Sequence, residues 1–303
     1  MRSHQGSILV PMVIIMVIGA VGAAYVARYF SVTAHQAVGL RQSRLAAFEA
    51  DQRLAYISSL LNRAAHDLDP LPANIAAAVT EQQAHVVDGM KIMTSDVSIS
   101  VTQPAPAMVR QHFVRFPLLR RQPPAPIISR NNLPAPVTLT VEMPPGQAGE
   151  WVATRPQDLM LWLLSAPEVV TDENKHIDTC AGLDHTARGV YVINSNCELA
   201  PLQIIGSAQA PVFLVIKNAD LHMPPDSRLW GTVVSDADDN TSLRTIVMAP
   251  TAQIMGALLI NHQITTGSAL NIAYKPDVLA TLQNAPYMQL HQDVAGTWRD
   301  FPL

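Results

Sequence analysis

Residues 7–27 form a run of twenty-one residues without a charge, most of them Ile, Val, Met and Ala, with Arg2 ahead of it and Arg28 behind. As a helix rising about 1.5 Å per residue, the run measures about 30 Å, the thickness of a bilayer's hydrocarbon core. The α-amine and Arg2 favour a cytoplasmic N-terminus, so everything beyond Arg28 is expected outside. Three uses fit such a run. It can stay as a signal anchor. It can be a secretory signal cut after the small residues Gly22, Ala23 and Ala24. Or a polar leader ending at Gly6 can be removed ahead of it, so that the mature chain begins at Ser7 and keeps the whole apolar helix.

Beyond Arg28 the chain stays free of proline until Pro70, with apolar residues such as Ala34, Val38, Leu45, Leu54, Ile57 and Leu61 at helical spacing among Arg41, Arg44, Glu49 and Arg53. This pattern predicts an amphipathic helix over residues 29–68, continuous with the membrane helix of residues 7–28. Pro70 and Pro72 end it, because proline lacks the donor and disfavours helix at the residue before it. A short second helix is expected over residues 74–87. Residues 97–101 and 137–141 alternate apolar with Ser or Thr, and each reads as a strand.

Charged residues are only 15% of the chain, and Pro (23) outnumbers Gly (14), which favours β and irregular structure beyond the helix. The net charge of −4 gives no reason to expect a polyanionic partner. Residues 103–141 carry eight prolines and five arginines and no acid. They could touch phosphates, but read better as an extended, solvated connection, so nucleic acid is not an expected partner. The two cysteines, Cys180 and Cys197, lie in the exported part and are expected to form a disulfide. His176 and His185 flank Cys180 and keep a metal site in view, although no C-x-x-C or H-x-x-x-H pair is present.

The last third repeats. Ile205-Gly206, Trp230-Gly231 and Met255-Gly256 recur 25 residues apart, with Gln203, Arg228 and Gln253 in matching places and a small residue after each glycine. Apolar runs fill the intervals, among them Val212-Phe-Leu-Val-Ile216 and Gly256-Ala-Leu-Leu-Ile260, with turn residues between them. Short strands at this spacing, with Gly206, Gly231 and Gly256 as corners, predict stacked coils of a β-solenoid. An ordinary β-sandwich with coincident glycines is the competing arrangement.

The leader and the repeat together resemble PilX-type minor pilin and pilus-assembly proteins of Gram-negative bacteria. Arg2-Ser-His-Gln-Gly6-Ser7 looks like the Gln-Gly-ending prepilin start of that group. Gly189-Val-Tyr-Val-Ile-Asn-Ser-Asn-Cys197 and Pro211-Val-Phe-Leu-Val-Ile216 are similar to its β-rich C-terminal part. The likeness covers residues 6–30 and 185–282. It implies cleavage between Gly6 and Ser7, insertion through the N-terminal helix, and partners among other pilin subunits and the assembly machinery. It also implies an inner-membrane location with a periplasmic head, or a place in a surface pilus. One residue departs: Pro11 stands fifth from Ser7, where major pilins carry a Glu that pairs with a neighbour's amine. That departure fits an accessory subunit rather than the main filament subunit.

No nucleophile elbow, zinc-protease, P-loop or dinucleotide motif occurs, and no enzymatic activity or cofactor is expected. Asp236, Asp238 and Asp239 are the one run with the alternating carboxylates of a cation loop. The run lacks an EF-hand's Gly and distal Glu, and reads better as a solvated turn. Asp277 is placed to cap a helix or turn. The expected fold is α+β: leader 1–6, membrane helix 7–28, amphipathic helix 29–68, a Pro-rich mixed region 69–150, and a β-rich head 151–303 ending in a short solenoid. The second functional reading is a membrane-anchored module that binds a ligand through its solenoid.

Overall fold

The computed structural model describes residues 9–67, 73, 78–87, 89–102, 107–135, 137–146, 149–155, 157–171, 175–297 and 299–302. Gly6 and Ser7 lie outside them. The proline-poor stretch forms one helix, α1 (Leu9–Asp67), of 59 residues. Pro11 falls in its first turn, where a backbone N–H has no intrahelical partner to lose. The described helix runs to Asp67, and the expected stop at Pro70 and Pro72 lies outside the described residues.

The strands follow in chain order. First come β1 (Val79–Val87), β2 (Met90–Val101) and β3 (Ala107–Pro117), then the short β4 (Ile127–Ser129), β5 (Thr138–Glu142), β6 (Val152–Thr154) and β7 (His176–Ile177). Next are β8 (Gly189–Ile193), β9 (Cys197–Glu198), β10 (Ile204–Ile205), β11 (Val212–Lys217), β12 (Leu221–Met223) and β13 (Arg228–Asp236). The series continues with β14 (Leu243–Arg244), β15 (Ile246–Met248), β16 (Gln253–Ile260), β17 (Gln263–Ile264) and β18 (Ala269–Ala273). The last two are β19 (Gln289–Asp293) and β20 (Arg299–Pro302). Two short helices, α2 (Leu159–Leu163) and α3 (Pro276–Asn284), complete the elements used below.

The chain divides into two compact units. The first comprises Met1–Tyr56, Ser98–Gln111 and Gly296–Leu303. Within it, α1 is exposed on every side over residues 12–45 apart from half-buried Thr33, and then buries Ala46, Ala50 and Leu54. These recur every four residues and form one face. In the same unit β20 pairs antiparallel with the start of β3, from Arg299 opposite Arg110 to Pro302 opposite Ala107.

The second unit holds Ile57–Val97 and His112–Ala295. The span 74–87, expected to be helical, is instead strand from Val79 onward and forms a hairpin with β2, Val79 opposite Val97 and Val87 opposite Met90. Gly89 makes the turn at φ +79°. Val79 and Thr80 at one end of β1 and Val86 and Val87 at the other suit a strand, and pairing with β2 overrides the helix-favouring Glu-Gln-Gln-Ala centre. The later part of β3 pairs antiparallel with β19, Pro117 opposite Gln289.

Between β3 and β19 thirteen strands form a second, curled sheet, built almost entirely from parallel pairs, while β14 and β17 form a separate two-stranded parallel sheet. On one side β8, β11, β13 and β16 lie in succession; on another β9, β12, β15 and β18 do so. β13 and β16 are paired residue for residue at the 25-residue offset, Arg228 opposite Gln253 and Gly231 opposite Gly256. The preceding repeat is one residue tighter, with Ile204 opposite Arg228, so Gly206 falls in a turn and Gly231 faces Val212 instead. Of the three glycines expected at corners, then, only Gly206 lies in a turn; Gly231 and Gly256 lie inside strands.

Apolar side chains fill both faces of the central strands. Leu214, Ile216, Leu229, Val233, Ile254 and Leu258 point into the curl. Phe213, Val215, Val234 and Leu259 pack on the other face against α2, α3, Leu118 and Leu119. A strand buried on both faces has no room for alternation, which is why the chain reads Val-Phe-Leu-Val-Ile and Ala-Leu-Leu-Ile. Each such side chain stabilises the fold by about 1.5–3 kcal/mol. At the turns, polar side chains link successive repeats: Asn196 accepts from the Asp220 amide (3.1 Å) and Asp220 from the Thr245 amide (2.8 Å).

The stretch expected to be a Pro-rich connection contributes to this sheet. β4 pairs with β16, β6 with β4, and β5 with β18, all in parallel. The boundary expected between residues 150 and 151 therefore runs through one sheet. Prolines 123, 124, 126 and 134 precede the strands, where a missing N–H removes no ladder bond. The apolar cluster at residues 159–164 is core, as expected: Asp158 caps α2 through the amides of Met160 and Leu161, and Leu159, Met160, Trp162 and Leu163 are buried. Asp277 lies in the first turn of α3, where its charge suits the helix dipole, but it makes no cap hydrogen bond.

Candidate functional site

Most of the exposed large apolar side chains among the described residues lie on the helix itself. Ile15, Ile18 and Tyr25 are 69%, 66% and 73% exposed, and apolar neighbours surround them on all sides. Among the described residues α1 is the one helix long and apolar enough to cross a membrane. Exposed apolar area of this extent is stable only against lipid or other helices.

Cys180 and Cys197 are joined as a disulfide, with their Cα atoms 5.2 Å apart and both residues fully buried. The pairing consumes the thiolates that a metal site would need. His176 instead meets Asn194 through Nδ1 at 2.9 Å. Gln203, a repeat residue, donates to the carbonyls of Cys180 (2.9 Å) and Leu183 (2.7 Å), tying the disulfide loop to the next turn.

The three aspartates of the candidate cation loop face different partners. Asp236 is largely buried and accepts from Asn261 at 2.7 Å; burial pushes its carboxyl up. Asp238 pairs with Lys217 (3.0 Å) and accepts from Asn218 (2.8 Å), which holds it below the usual range. Asp239 is lowered likewise by the hydroxyl and amide of Thr241. Among the described residues no three His, Cys, Asp or Glu side chains converge as a metal site would require.

The arginines of residues 103–141 are spread over several elements. Arg115 contacts the Met93 sulfur, and Arg121 lies over the Trp162 ring at 5.1 Å, a cation–π distance.

Two features were not foreseen from the chain. Ser235 and His262, from neighbouring repeats, meet at 2.7 Å through Oγ and Nε2, and His262 Nδ1 lies 2.7 Å from the Gln263 carbonyl. With Nδ1 donating to that carbonyl, Nε2 accepts the serine proton. The arrangement is that of a base-activated serine. Ser235 is 0% and His262 1% exposed, however, so the pair is enclosed in the core and links two repeats. The second feature is a cleft of about 590 Å³ beside β14 and β17. Its residues are ordinary turn types, scattered through the chain, and no spacing signal announces them.

No family model, curated protein or solved structure matches this chain.

Proposed function

We propose that the protein is an accessory, minor pilin-like subunit of a type IV pilus-family filament. Its N-terminal helix inserts among the helices of other pilin subunits after the leader is removed at Gly6, and its β-rich part is displayed as a head. The observation that carries this reading is the unbroken helix from Leu9 to Asp67, whose side chains are exposed over residues 12–45 apart from half-buried Thr33. A membrane anchor needs about 20 residues of helix; an apolar stem that also has to pack within a fibre needs more. Pro11 in place of the filament-pairing Glu supports an accessory role. In this reading the parallel repeats make a short β-solenoid, a view favoured by the in-register pairs from Arg228–Gln253 to Ser235–Ile260.

The test is the mature N-terminus. Intact-mass measurement of the protein from membranes should find a chain starting at Ser7. A chain starting at Met1 would favour the second reading, a membrane-anchored ligand-binding module. A start near Tyr25 would make it a secreted protein. The cleft beside β17 is the observation that keeps the second reading alive.

A further inference from the structure

Beside the curled sheet stands a separate two-stranded parallel sheet, and it is one rung short of the layers next to it. β14 and β17 pair in parallel there, Leu243 opposite Gln263 and Arg244 opposite Ile264. The bonds run from the amides of Gln263 to Ser242 (3.2 Å) and of Thr265 to Arg244 (2.9 Å). In a parallel ladder the peptide groups of the residue between, Ile264, then face the opposite way. The next layer is set by β4 on β16 and β5 on β18, and its connecting segment passes β17. Among the described residues no backbone hydrogen bond joins positions 131–135 to positions 263–266. Pro134 has no N–H to offer. The space where a third rung would lie is the 590 Å³ cleft.

The lining defines what fits. Asn131, Asn132, Gln263, Thr265 and Thr266 present amides and hydroxyls, and none of the described lining residues is charged. Asn131 donates to the Asn240 carbonyl (3.1 Å), whereas Asn132, Gln263 and Thr266 make no side-chain hydrogen bond among the described residues. Leu243 supplies an aliphatic wall and is 63% exposed. A phosphate, sulfate or carboxylate would lose its hydration here and find no opposite charge. A purely apolar ligand would leave amides unpaired, at about 1–3 kcal/mol for each one buried. Amide and hydroxyl side chains both donate and accept, and so does a sugar hydroxyl, whose C–H face packs on leucine. The volume falls within the roughly 300–1,000 Å³ typical of small-molecule sites. An added peptide strand fits less well, because β17 offers an edge of only two residues.

We propose that this cleft binds a neutral oligosaccharide of two or three sugar units. The inference stands whether the helix serves a filament or an anchor.

The test uses the full chain in a zwitterionic, sugar-free detergent and saturation-transfer NMR with three probes: maltotriose, chitotriose and trigalacturonate. At least one neutral trisaccharide should give transfer, and trigalacturonate none. Asn132→Leu with Gln263→Leu should weaken the binding at least tenfold while leaving the thermal melt unchanged. Should that pair fail to fold, Thr266→Val at an exposed position should still weaken it measurably. Absence of binding by both neutral probes, equal binding of the anionic one, or binding unaffected by the folded variants would overturn the proposal.

Discussion

The backbone amide of Leu118 donates to the carbonyl of Met288 at 2.6 Å, joining the points where the chain leaves the antiparallel sheet and returns to it. Next to them Pro117 and Gln289 are already paired as strand neighbours. The whole curled sheet is thus an insertion with adjacent ends, and adjacent ends are what allow a domain to be moved or cut out without loss of its core. A fragment of residues 118–288 should fold alone and melt in one cooperative transition by circular dichroism. A broad, non-cooperative melt would show that it depends on the rest of the chain.

The disulfide closes a loop between residues separated by 17 positions. In the chain-entropy picture a loop of that size contributes about 3 kcal/mol. Cys180→Ser should lower denaturant stability by about that amount under oxidising conditions. Adding a reductant should bring the parent protein down to the level of the variant. Equal stability of the two before reduction would refute the contribution.

At Gly231 and Gly256 a Cβ would stand 1.9 Å from a carbonyl oxygen of the adjoining repeat, that of Val212 or of Gly231 itself. Their φ values, +131° and +154°, also disfavour any L side chain. Gly256→Ala should cost about 2–5 kcal/mol, combining overpacking with backbone strain. Gly267→Ala, whose Cβ would meet nothing within 4 Å, is the control and should leave urea unfolding nearly unchanged.

Burial holds the His262 imidazole below its ordinary pKa of 6.5. A depressed folded-state pKa means that folding favours the neutral ring. The associated stability is complete above pH 6.5 and is lost as pH falls below that value toward the lower folded-state pKa. Denaturation curves recorded from pH 8 to pH 5 should show this decline, and His262→Gln should flatten it. An identical slope in the variant would assign the effect to other groups.

Removing residues 1–30 should release a protein that stays monodisperse without detergent, since the most apolar part of α1 goes with them. The full chain should need detergent in the same size-exclusion experiment. Aggregation of the shortened protein would point to a second apolar surface.

Much of this architecture is written locally. A run such as residues 212–216, apolar without alternation and bounded by turn residues, points to an element covered on both faces, and the spacing of Gly231 and Gly256 marks the repeat, although it suggests corners where the structure presses two backbones together. The helix and the disulfide are equally local, resting on length, apolarity and compartment. What could not be read depends on distant partners. Residues 79–87 have the composition of a weak helix until β2 pairs with them, although the dipeptide Asp88-Gly89 is a hairpin signal in the sequence. Nothing near Pro117 or Gln289 announces that they are neighbours. Asn132 and Gln263 are unremarkable turn residues, and only the missing rung makes them walls of one cleft.

The place of β4 and β5 in the sheet sets an order of assembly. Ile127 lies opposite Leu258, and Thr138 opposite Ala269, so strands synthesised early close the layer completed last. A chain emerging N-terminus first can stack β8, β11, β13 and β16 in order as they appear, but cannot complete the layer of β4 and β5 until β16 and β18 exist. β4 finds β6 nearby, Ile127 opposite Val152, but the pairing of β4 with β16 and of β5 with β18 waits for partners more than a hundred residues downstream, and pairings that distant form slowly. Completing that layer is therefore a late folding step, and until then its waiting edges are exposed to aggregation.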